Sequence, residues 1–117
     1  MAKDVYLNRS MEKLKKYQHI IKEILKEFAE DNAGDQILTD DHNHHYQIFR
    51  IGEDLKKNYF FRVRMHFFIN QAEKICILEN RTDIEVADYL MAKGVPKSDI
   101  IPAFLPAEAR QLAGFAV

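Results

Sequence analysis

The sequence has a single cysteine, Cys76, and no tryptophan. A lone cysteine excludes an intramolecular disulfide and any zinc site built on cysteines. It fits a reducing compartment, so the expected location is the cytoplasm. No apolar run approaches the ~18 residues that cross a bilayer, so no membrane role is expected. The N-terminus, Met1-Ala2-Lys3-Asp4-Val5, lacks the apolar core and small-residue cleavage pattern of a secretory signal. Charge of one sign is not in surplus either: 17 Lys and Arg stand against 18 Asp and Glu, a net of −1. A protein that grips nucleic acid by itself carries a basic excess, because cations on phosphates supply most of the affinity. The four glycines are scattered at turns and make no phosphate-cradling loop. Ser10 and Ser98, the only serines, sit at cap-like positions with no partner base in view. The expectation is therefore a protein that is not an enzyme and needs no cofactor.

What is present is a chain of 117 residues, 47% hydrophobic and 30% charged, enough for one self-sufficient folded domain. Residues 1–10 lack periodicity and read as an extension that frays, leaving 11–117 as the domain. Met11, Leu14, Tyr17, Ile21, Ile24, Leu25 and Phe28 recur at three and four residues, one apolar stripe of a helix. Asn8 or Ser10 could cap its start, and Asp31-Asn32-Ala33-Gly34 ends it. Four β-compatible segments follow: Gln36–Thr39, His45–Ile51, Asn58–Ile69 and Lys74–Leu78. Their short polar links predict an antiparallel meander, since a parallel pair needs a long crossover. In the third segment Tyr59, Phe61, Val63, Met65, Phe67 and Ile69 alternate with Phe60, Arg62, Arg64, His66 and Phe68. Thr82-Asp83-Ile84-Glu85 reads as a capping box before a helix with Ile84, Ala87, Leu90 and Met91 on its buried side. Gly94 and Pro96 stop that helix. Asp99–Phe104 reads as a last short strand, held to an edge by Pro102. Pro106–Leu112 reads as a turn or two of helix, and Gly114–Val117 as an apolar tail docked on the core. The expected fold class is α+β: a long N-terminal helix, an antiparallel sheet of four to five strands, a second helix, and a short C-terminal strand and helix.

Three sets of residues could carry function. Arg62, Arg64 and His66 share one face by alternation, and Arg50 on the neighbouring strand could join them. Guanidinium forks in a row suit phosphate or carboxylate, on DNA or on a protein partner. The plainer reading is the solvated face of an antiparallel sheet. His42 and His44, within the His42–His45 cluster, would share a face in a strand and could offer two metal ligands. A structural site normally needs four, so no metal is assigned and an exposed hairpin turn is the plainer reading. Cys76, between Ile75 and Ile77, reads as a buried, inert thiol. Two aromatic-rich sheet faces on so small a domain imply that one is covered by another chain, as in a homodimer or higher oligomer.

Whole segments resemble a known family. Met11-Glu12-Lys13-Leu14-Lys15-Lys16-Tyr17 with Ile20-Ile21 and Ile24-Leu25 is similar to the opening helix of the XisI family, the fdxN element excision controlling factors of cyanobacteria. Lys74-Ile75-Cys76-Ile77, Val86-Ala87-Asp88-Tyr89-Leu90, Gly94-Val95-Pro96-Lys97-Ser98-Asp99-Ile100 and Gly114-Phe115-Ala116-Val117 follow the family pattern in order. His45-Tyr46-Gln47 and His66 fall at matching places between them. Where family members commonly carry Trp-Asp-Gly after the glycine matching Gly52, this chain has Glu53-Asp54-Leu55. The resemblance implies a non-enzymatic accessory factor for developmental, site-specific DNA excision in heterocyst-forming cyanobacteria. It implies two partners, a site-specific recombinase and a second controlling factor of the XisH type, and transfers no catalytic residue. Direct DNA contact through Arg50, Arg62 and Arg64 is the alternative, and metal or small-ligand binding through His42 and His44 a further one.

Overall fold

The computed structural model describes residues 2–117, with side chains from Met11 onward. The frayed extension expected before Met11 falls outside the described side chains, but the helix backbone already starts at Ala2, so neither Asn8 nor Ser10 caps its start. Helix α1 (Ala2–Phe28) buries Tyr17, Ile20, Ile21, Ile24 and Leu25, while Met11 stays half exposed. Its stripe lies on five strands, β1 (Asp35–Asp40), β2 (His45–Glu53), β3 (Tyr59–Ile69), β4 (Ile75–Asn80) and β5 (Ile100–Pro102), which stand in that order across one sheet. Tyr46, Ile48, Met65, Phe67, Ile69, Ile75, Ile77 and Ile100 meet the helix as the sheet's share of the core. Helix α2 (Val86–Ala92) adds Val86 and Leu90, and α3 (Ala107–Leu112) follows β5.

Each hairpin is built by the same device. Asp40, Asp54 and Asn70 turn their side-chain oxygens back onto backbone amides two to four residues on. This is the Asx turn, which closes the chain without glycine. His44, Lys57 and Glu73 then take positive φ (63°, 67° and 59°) to re-enter the next strand.

The α+β class and the four-strand meander agree with the sequence, and two local expectations do not. The sheet is mixed, because β5 lies parallel to β4 with Ile75 opposite Ile100. The connection between them carries α2, and that crossover returns the chain to the starting end of β4. The capping box is also absent. Thr82 Oγ1 accepts from the Ile84 amide at 3.2 Å in a tight local turn, and α2 begins four residues later at Val86 with no side-chain cap. The end of α2 is as the sequence predicts: Gly94 takes φ +99°, its amide donates to Met91, and that of Val95 donates to Leu90. These two bonds form a Schellman closure. The C-terminal tail docks as expected, with Ala116 buried and its amide donating to Ile100. Arg110 fastens it by donating to the carbonyls of Leu105 and Val117.

A Cβ on Gly94 would meet nothing closer than the flexible end of Lys16 at 3.7 Å, so the cost of Gly94→Ala comes from its left-handed backbone alone. The expected loss is about 1–2 kcal/mol. Urea unfolding checks it, with an unchanged slope.

Candidate functional site

The arginines and His66 do not form one row, because a bulge in the sheet redirects Arg64. Across β2 and β3, Ile48 faces Met65 but Phe49 faces Val63, which leaves Arg64 as the extra residue with no partner opposite. A bulge of this kind re-aims a side chain that alternation would have sent elsewhere. Arg64 Nη1 reaches Asp35 Oδ2 at 2.7 Å, and Arg50 Nε reaches Asp35 Oδ1 at 2.7 Å. The Asp35 side chain has no exposed surface, and it also accepts from the Glu30 amide at 2.8 Å. Arg50 extends the cluster outward to Glu30 Oε2 at 2.7 Å. Burial pushes the Asp35 carboxyl up, but the Arg50 hydrogen bond, the Glu30 amide and Arg64 outweigh it and hold the group ionised below the ordinary value. Arg50 and Arg64 are thus committed to an internal charge, and His66 does not join the cationic face expected for Arg50, Arg62, Arg64 and His66. Arg62, opposite Arg50 in the register, stays exposed and has no ion-pair partner among the described residues.

His66 points to the other face of the sheet, where its Nε2 lies 2.9 Å from His45 Nδ1. One ring must donate and the other accept, which requires at least one neutral imidazole. The His45 ring also stacks on Phe68, 4.7 Å between centroids. Burial depresses the proton affinity of His66, and His45 adds to the effect against the opposing pull of Glu79. Alternation and register place these two histidines together only when both strands are aligned correctly, so the pair was hidden in a list of separate residues. His42 and His44 behave differently. They occupy the turn after β1 rather than a strand, so the common face needed for two ligands does not exist. Among the described residues no group of three or more His, Cys, Asp or Glu could hold a metal ion. Cys76 is buried as the sequence predicts, and its thiol is pushed up by burial against a weaker opposing effect of Arg110.

A second buried carboxylate closes the opposite end of the domain. The Tyr17 hydroxyl donates to Asp99, which also takes Lys13 at 3.0 Å and Lys74 at 3.4 Å. It joins α1 to the segment before β5. Burial raises the Asp99 carboxyl, and Tyr17 and Lys13 more than reverse it.

The comparisons with known proteins agree on one family. The model of the XisI protein family matches residues 11–117. The chain belongs to the XisI family. A XisI-like protein from Anabaena variabilis ATCC 29413 superposes with TM-score 0.79 at 31% identity, over 89% of this chain and 98% of that one. The fdxN element excision controlling factor XisI from the same organism superposes with TM-score 0.73 at 30% identity, over 89% and 97%. A search among curated proteins finds no match. The XisI fold therefore extends over the helix, the sheet and the C-terminal tail together. Among the described residues no helix is long and apolar enough to cross a membrane.

Two predictions follow from the charges of this XisI domain. Asp35→Asn leaves Arg64 without its ion-pair partner and Arg50 with Glu30 alone, and breaking a buried pair costs about 3 kcal/mol or more. Chemical denaturation measures it, and a loss below 1 kcal/mol would contradict the assignment. Stability should also fall in two acid steps. His66 is depressed from 6.5, so stability is complete above that pH and declines as the pH drops below it. Asp35 and Asp99 are depressed from 3.8, so their share persists above that value and is lost below it. Thermal melts across pH 3–7 read both steps, and His66→Phe should remove only the upper one.

Proposed function

We propose that this chain is a non-enzymatic controlling factor for site-specific excision of a DNA element, acting through protein partners rather than by cutting or reading DNA itself. The membership of the XisI family supports the excision role, and a structural relative is itself named an fdxN element excision controlling factor. The observation that carries the mode of action is the engagement of Arg50 and Arg64 with Asp35. Arginines already paired to a buried carboxylate cannot release counterions from DNA without uncovering that charge. Of the three arginines only Arg62 is left unpaired, too little for a duplex footprint. The partners this reading requires are a recombinase that performs strand exchange and a second controlling factor of the XisH type.

Reconstitution on a plasmid-borne element tests the proposal. Excision should need this chain together with the recombinase and the XisH-type factor, and should survive Arg62→Ala. Excision of equal yield without the chain would refute the role. Tight, salt-sensitive duplex binding by the chain alone, lost on Arg62→Ala, would replace the partner-mediated mode with direct contact.

A further inference from the structure

The β2–β3 hairpin outruns its neighbours. Pairing with β1 begins at Arg50, and pairing with β4 stops at Met65. Residues 51–63 are therefore a two-stranded ribbon with little beside it. Tyr59 is 74% exposed, Phe61 71% and Phe60 47%. An isolated two-stranded ribbon is marginally stable in water, and bare aromatic rings on it are a liability.

The hydrogen-bond phase of the ribbon says which edge is open. The Asp54 amide donates to Asn58, and the register places Gly52 opposite Phe60, so these residues bond to each other across the hairpin. Ile51, between them, sends its amide away to Gly34. Its partner Phe61 must likewise direct its amide and carbonyl away from β2, and so must Tyr59 and Val63. Three donors and three acceptors thus line the open edge of β3.

The sheet's other two outer edges are blunted. β1 starts and ends on aspartate, and β5 has three residues and ends on Pro102. Charged ends, short strands and proline all discourage edge pairing. Tyr59-Phe60-Phe61-Arg62-Val63 has no proline, no acid and no bulge before Arg64.

We infer that this edge of β3 pairs antiparallel with the same edge of a second copy, about a two-fold axis at Phe61, so that two sheets become one. Pairing a segment with itself in opposite directions is the isologous contact a two-fold demands. The sequence complements itself in this register. Phe61 meets Phe61, Tyr59 meets Val63 of the second copy, and Phe60 meets its Arg62. Aromatic rings across from β-branched residues and from guanidinium are favourable cross-strand pairs. Moving the axis to Arg62 would set like charges opposite each other, which is unfavourable. In that register the two ribbon tips point away from each other, and each carries Glu53 and Asp54 with Lys56 and Lys57, without net charge. That balance offers little to a strongly acidic or basic partner and suits a second copy. The exposed parts of the three rings amount to roughly two whole side chains per copy, so ring burial contributes at most ~800 Å² over the pair at ~200 Å² each. Backbone and the flanking Leu55, Arg62 and Arg81 bring the contact toward the ~1,200 Å² of a specific interface.

Sedimentation and directed cross-linking test this independently of any excision assay. The wild-type protein should sediment as a dimer at micromolar concentration and above. Phe61→Lys, at an exposed position, should give a folded monomer by circular dichroism and sedimentation. Phe61→Cys should form an intermolecular disulfide under mild oxidation, because its Cα partner would lie ~5.5 Å away in a hydrogen-bonded pair. Tyr59→Cys should not, because its own equivalent would lie about four residues along the strand. A monomeric wild type would overturn the inference. So would a dimer indifferent to Phe61→Lys, or cross-linking through Tyr59→Cys in place of Phe61→Cys.

Discussion

A buried carboxylate organises this protein. Asp35 opens β1, buries its whole side chain, and draws Arg50 from β2 and Arg64 from β3 onto its two oxygens. One charge therefore fixes the alignment of three consecutive strands at the end where the helix returns to the sheet. The bulge at Arg64 makes this geometry available, since regular alternation would have sent that side chain to the other face. The same pairing removes two of the cations that give the sequence its look of an anion-binding strand. In the proposed function, structure and mode of action are linked through these residues, which hold the strands together.

The helices and the meander were legible because apolar period and turn chemistry agree at each point. Tyr17, Ile21, Ile24 and Leu25 mark the buried side of α1 without ambiguity. Asp40, Asp54 and Asn70 announce the hairpins through the side-chain oxygens that close them. Features that depend on alignment between strands were not legible. A bulge leaves no trace in a pattern of alternating residues, so Arg62, Arg64 and His66 looked equivalent. Thr82 and Glu85 satisfy the spacing of a capping box, but Thr82 Oγ1 is taken up by a tighter local turn with Ile84 and Asn80. The direction of β5 is set by where the crossover through α2 delivers the chain, and three residues ending in proline carry too little pattern to show it.

The His45–His66 pair lies on the face away from α1, and the aromatic ribbon extends beyond the sheet's other strands. Helices α1 and α2 bury one side of the sheet and leave much of the other uncovered. Exposed Phe61 over Phe49, at 5.9 Å between rings, continues the apolar character of that side. The open edge and the uncovered face are the surfaces on which the proposed contacts with other chains would form.

The parallel placement of β5 also bears on the order in which the molecule comes together. The first four strands close through neighbouring hairpins, each a short loop with a small entropic penalty. The final strand must wait for a helix to cross, and the Tyr17–Asp99 bond then joins positions 82 residues apart. Contacts so distant along the chain slow a folding reaction. The meander should therefore gather early on the ribosome, and the C-terminal segment should lock it only after synthesis is nearly done.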